Sequence, residues 1–139
     1  MKFKESLRSC AYENYVQFKG RASRSEFWWF MLALLLFNVF FIAVAVVFPG
    51  LGTSMIGGLS LVMLCPYASS LTRRLHDVGL SGWWVAAAFA ASLVTSSLAA
   101  IPEFEWTRFI GGAAFLLLFI AAALPGQKAA NRFGEPPQS

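Results

Sequence analysis

Between Glu26 and Arg73 the chain runs for 46 residues (27–72) without an Asp, Glu, Lys, Arg or His. The hydrocarbon core of a bilayer is about 30 Å thick and takes about 20 helical residues to cross. At roughly 1.5 Å per residue one helix of that length would reach about 69 Å, so the stretch predicts two crossings. The break falls at Pro49-Gly50-Leu51-Gly52. Two further uncharged runs follow, Val78 to Pro102 (25 residues) and Phe109 to Gln127 (19 residues). The pattern predicts an all-α membrane protein, a four-transmembrane-helix bundle with spans near 27–48, 53–71, 83–101 and 108–124. Only 13% of the 139 residues are charged, about half the share in soluble domains, which argues against an ordinary soluble protein. A hydrophobic content of 58% argues equally against disorder.

The first apolar run starts only at Phe27 and outlasts the roughly 7–15 residues of a signal-peptide core, so it reads as a true span. The chain then divides into a cytoplasmic interfacial helix and linker (1–24), the transmembrane domain (25–126) and a cytoplasmic tail (127–139). Orientation follows from the basic residues. Lys2, Lys4, Arg8, Lys19, Arg21 and Arg24 precede the first span, Arg73 and Arg74 lie between the second and third, and Lys128 and Arg132 follow the last. With both termini cytoplasmic, ten of the eleven basic side chains face that side, Arg108 being the exception. The positive-inside rule predicts such a bias. Trp28, Trp29, Trp83 and Trp84 would then mark the cytoplasmic boundary and Trp106 the other one, as an aromatic belt does.

Local signals refine the outline. Phe3, Leu7, Cys10, Ala11, Asn14 and Phe18 recur at helical spacing opposite Lys2, Lys4, Glu5, Arg8 and Glu13. This predicts an amphipathic helix, lying either among lipid headgroups or on the bundle's own cytoplasmic end. Ser23-Arg24-Ser25-Glu26 reads as a capping box in which Ser23 and Glu26 exchange bonds with each other's backbone N–H. Pro66 falls inside the second span, where it removes a helical bond and frees the carbonyl of Val62. In lipid that kink requires a neighbouring helix or hydroxyl to satisfy the carbonyl. Ala87, Ala91, Thr95 and Ala99 form a small-residue stripe that marks the third span as the most buried helix. Cys10 and Cys65 read as inert packing residues, and with one histidine and two separated cysteines no metal site is expected.

No span holds a charge, which weighs against an ion-coupled pump. Chemistry is concentrated instead at the cytoplasmic boundary, in Arg73-Arg74-Leu75-His76-Asp77-Val78-Gly79-Leu80-Ser81-Gly82-Trp83-Trp84. Arg21, Arg24, Glu26, Asn131 and Arg132 are expected at the same depth. Guanidinium forks suit phosphate and carboxylate groups, so Arg21, Arg24, Arg73, Arg74 and His76 are candidate ligands of an anionic headgroup or small anionic molecule. The competing reading is structural: Asp77 pairs with Arg21 or Arg24, and Ser23, Glu26 and Asn131 serve as caps or ties. No catalytic residue is assigned. His76 and Asp77 are adjacent, which on a helix points them about 100° apart, and no nucleophile, Walker or dinucleotide motif accompanies them.

Three stretches, Tyr15 to Trp29 (YVQFKGRASRSEFWW), Arg73 to Trp84, and Asn131-Arg132-Phe133-Gly134-Glu135-Pro136-Pro137, resemble the bacterial inner-membrane family known as domain of unknown function 805. The resemblance covers nearly the whole chain. It implies a small bacterial inner-membrane protein of several helices and supplies no reaction. The leading expectation is a non-enzymatic, multi-pass inner-membrane protein whose Arg/His/Asp cluster binds an anionic lipid, ligand or partner, without cofactor or nucleic acid. The alternatives are an oligomeric channel or transporter for a small solute, and a scaffold in which the cluster is a clasp. Homo-oligomerisation is left open by the small-residue stripes.

Overall fold

The computed structural model describes residues 2–137. The first residue of the expected interfacial segment and the last two of the expected tail lie outside them. The described residues form two compact units, one of 2–18 with 25–70 and the other of 19–24 with 71–137. Helices α1 (Phe3–Arg8), α2 (Arg24–Val47), α3 (Pro49–Val78), α4 (Trp83–Leu98) and α5 (Arg108–Ala123) are joined by a π-helical turn, Ser9–Glu13, and a 3₁₀ turn, Pro102–Thr107. The chain is an integral membrane protein. Leucines, valines and phenylalanines from Leu32 to Ile120 stay exposed along its helices, as lipid-facing side chains do.

Three segments are long and apolar enough to cross a bilayer: α2, α3, and Pro102–Ala123, which contains α5. Helix α4 has 16 residues and a length of about 24 Å. It stops three residues before the expected end of the third span. The cause is Pro102, which forces Ile101 into extended backbone (φ −93°, ψ 125°) and so forbids helix immediately before it.

In the first unit the turn between α2 and α3 is tighter than the expected four residues. Only Phe48 separates the helices, because Pro49 occupies the first position of α3, where its missing N–H costs nothing. Gly50 and Gly52 are helical. A Cβ on Gly52 would lie 2.3 Å from the Cα of Ala45, so glycine is what lets the two backbones approach. Pro66 lies inside α3, and the carbonyl it frees, that of Val62, accepts a hydrogen bond from the Tyr15 hydroxyl.

The N-terminal segment departs from its expected form. Helix α1 ends at Arg8, and the buried positions are Ser6 in α1 with Ser9 and Cys10 in the turn that follows, rather than the apolar Phe3 and Leu7. The physical reason is the carboxylate of Glu26, which needs donors: Ser9 Oγ binds its Oε1 at 2.8 Å and Cys10 Sγ at 3.6 Å, while Ser6 Oγ bonds the Glu26 carbonyl. Phe3 remains partly exposed, edge-on to Trp29 with ring centroids 5.8 Å apart.

In the second unit α4 and α5 pack against each other. Thr107 Oγ1 donates to the Thr95 carbonyl at 2.9 Å, Phe89 meets Phe115 edge-to-face at 5.1 Å, and a Cβ on Gly111 would come within 2.8 Å of the Ser92 Cα. The buried positions of α4 are Val85, Ala88 and Thr95, so of the every-fourth stripe only Thr95 is buried in the contact, while Ala87 is exposed. Nor is α4 the most buried helix. That place belongs to the end of α3, where every residue from Ser69 to Asp77 is buried. Most of these are polar, and Ser69, Ser70, Arg74, His76 and Asp77 can be buried because each has a partner to bond.

Candidate functional site

The candidate site is built on the last turns of α3, the strap 19–24 and the tail after α5, all within the second unit. Helix α3 ends in a Schellman motif. Gly79, at φ +91°, turns the chain, its N–H bonds the His76 carbonyl at 3.0 Å, and the Leu80 N–H bonds the Leu75 carbonyl at 2.9 Å. The next carbonyl, Asp77, accepts from the Gln127 N–H at 2.9 Å, while that of Arg73 accepts from the Ala22 N–H at 3.0 Å. Strap and tail are thereby tied by backbone bonds to one helix end.

Asp77 sits at the centre. It is 4% exposed, with Arg74 at 0% and Arg21 at 8%. Its Oδ1 accepts from Arg21 Nε at 2.9 Å and lies 2.8 Å from Arg21 Nη2, while Arg74 Nη1 binds Oδ2. Such paired burial requires that the remaining guanidinium donors also be satisfied. Arg21 meets that condition at each of its nitrogens. Nη1 reaches the carbonyls of Ala129 (2.9 Å) and Gly134 (3.3 Å), and Nη2 that of Gln127. With Nε on Asp77, each of the three guanidinium nitrogens therefore donates to a protein acceptor. Arg74 donates from Nε to the Ala122 carbonyl at 2.8 Å and from Nη2 to that of Leu124. Those carbonyls belong to the end of α5, where helical acceptors are unfilled and the macrodipole favours a cation. Two guanidiniums and one carboxylate leave one net positive charge, and these carbonyl dipoles face it.

Gly126 passes directly over Asp77, since a Cβ there would fall 1.9 Å from Oδ2. His76 stacks face to face on Phe133 (centroids 3.8 Å, planes 5° apart), and Arg132 Cζ lies 4.6 Å from the centroid of that phenylalanine ring. The Nδ1 of His76 is 3.1 Å from the Gly20 carbonyl, so this nitrogen carries the hydrogen. Asn131 donates to the carbonyl of His76 and to Gln127 Oε1, both at 2.9 Å, and its Oδ1 accepts from the Phe133 N–H in a tight turn closed by Gly134.

Of the residues named from sequence, Arg21, Arg74, His76, Asp77 and Asn131 therefore form one connected network. Arg73 and Ser23 are buried in the same unit, and Arg24 is exposed. Glu26 belongs to the first unit, on Ser9 and Cys10. For Asp77 the sequence offers Arg21 or Arg24 as partner, and Arg21 takes it. Sequence reasoning misses the acceptors supplied by residues 122–134, because a backbone carbonyl has no signature in the side chains around it. Gly126 was the one available cue, as a residue chosen for close approach.

An all-α fold with lipid-facing helices and a buried, carbonyl-rich arginine cluster at a helix end defines a helical integral membrane protein organised around an internal ionic tie. The chain belongs to the family described as protein of unknown function (DUF805), which it matches over residues 15–135. It is 30% identical over 133 residues to the inner membrane protein YhaH of Escherichia coli strain K12, covering 91% of each chain. It is 28% identical over 130 residues to the inner membrane protein YhaI of the same strain, covering 91% of this chain and 90% of YhaI. No solved structure matches it.

Proposed function

We propose that this protein is a non-enzymatic scaffold of the bacterial inner membrane, crossing it four times with both termini in the cytoplasm. Its Arg21–Arg74–Asp77 cluster acts as a clasp that fixes the C-terminal tail. Anionic lipid headgroups are then engaged by the exposed cations Arg24, Lys128 and Arg132 rather than by the interior of the cluster. One observation carries this reading: each guanidinium nitrogen of Arg21 already donates to a protein acceptor, three of the four bonds going to tail carbonyls, so a phosphate would have to displace the tail to take their place. The inner-membrane relatives support the location, and the bias of basic residues supports the orientation. Helix α4 would complete its crossing with the extended residues up to Pro102.

Hydrogen exchange and native mass spectrometry together test the clasp on protein extracted from membranes containing phosphatidylglycerol and cardiolipin. Arg21→Gln is expected to raise amide exchange across 127–134 at least tenfold while retained anionic lipid stays constant. Arg24→Ala with Arg132→Ala should do the reverse. Loss of lipid in Arg21→Gln with the tail still protected would overturn the assignment. For orientation, reporter fusions after Leu80 and after the last residue should both report cytoplasm, and opposite reports would overturn it.

A further inference from the structure

We infer that α2 carries a self-association surface centred on Asn38, and that its partner is a second copy of this chain. Asn38 is an amide within the uncharged run 27–47 of α2, and it lies about 4 Å along the axis from the midpoint of that helix. One of its N–H groups bonds the Leu34 carbonyl at 2.9 Å. Among the described residues the second N–H and the carbonyl oxygen have no partner. They open onto a groove of about 330 Å³ between α2 and α3, lined by Met31, Leu34, Leu35, Leu59 and Met63. The nearby Ser60 hydroxyl is already directed to the Ile56 carbonyl at 2.8 Å.

At this depth neither acyl chains nor bulk water satisfy an amide, so the groups left over must be met by another protein surface. A second copy meets them for two reasons. What remains on Asn38 is one donor and one acceptor, which is self-complementary, so two such amides can exchange a pair of N–H···O bonds across a two-fold axis. Copies in one membrane also share one orientation, which brings both Asn38 residues to the same depth without any further device. The aliphatic and methionine walls of the groove then supply the packing that drives helix association in lipid.

Energy transfer between donor- and acceptor-labelled full-length protein, measured as it is diluted into phosphatidylethanolamine–phosphatidylglycerol vesicles, tests the surface. Wild type should associate, and Asn38→Leu should weaken association about eightfold, the equivalent of about 0.6 kcal/mol for each of two interhelical bonds. Asn38→Gln should restore part of it. A second variant, Leu35→Trp, leaves the amide intact and fills the groove, so it should also weaken association and decides the matter if Asn38→Leu fails to fold. Wild type that stays monomeric at every ratio overturns the inference. So does a folded Asn38→Leu, or Leu35→Trp, that associates as wild type does. Neither result bears on the tail clasp, which is read by exchange at 127–134.

Discussion

Replacing Asp77 with asparagine keeps the shape of the side chain and removes the carboxylate that two buried guanidiniums share. Arg74 is fully buried and Asp77 nearly so, and the clasp would pass from one net positive charge to two. The new amide would also turn N–H donors toward guanidinium donors. Removing one partner of a buried pair costs about 3–5 kcal/mol, because the charge left behind is not rehydrated. An unfolding entropy of about 2.1 cal/mol/K per residue over 139 residues gives about 0.29 kcal/mol/K. That value is a ceiling where helices persist in detergent, so the expected fall in Tm is at least about 10 °C. Tryptophan fluorescence during heating in a mild detergent reads it. Glu105→Gln is the matched control, since the Arg108–Glu105 pair is more than half exposed on both sides and should leave Tm within about 1 °C. A fall of less than about 2 °C for Asp77→Asn would refute the reasoning, for it would mean that water already reaches the cluster.

Two further predictions concern the first unit. Tyr15→Phe deletes the hydroxyl that satisfies the Val62 carbonyl freed by Pro66, and should destabilise by about 1–3 kcal/mol in the same thermal assay. Gly52→Val forces a branched side chain into a place where a bare Cβ already meets the Ala45 backbone at 2.3 Å, and should cost at least about 1–3 kcal/mol, with Gly57→Val, in open surroundings, as its harmless counterpart.

The helices were legible because charge is excluded from lipid, and that constraint acts on every residue of a span. Their ends were read less well: the second was expected to end at 71 and the third at 101, whereas α3 continues to Val78, where Gly79 stops it, and α4 ends at Leu98, ahead of Pro102. Faces were misread because apolar periodicity reports the core of a soluble helix. In a bilayer the apolar side is satisfied by lipid, so α1 and the turn after it bury Ser6, Ser9 and Cys10 and leave Phe3 partly outside. The same logic applies to α3, whose buried run ends in threonine, arginines, histidine and aspartate. In the site the side-chain members were nameable from sequence. Their acceptors were not, because Ala122, Leu124, Gln127, Ala129 and Gly134 contribute only main-chain oxygen.

The reliance of Arg21 on Gly134 sets an order of events at the ribosome. Asp77 is made 57 residues before Gly134. At about 5–20 residues per second the nascent protein therefore waits roughly 3–11 s before its last ties can form. A chain cut short just after Leu124 would keep all five helices and lack the carbonyls of Gln127, Ala129 and Gly134, leaving the Arg21 guanidinium without most of its acceptors.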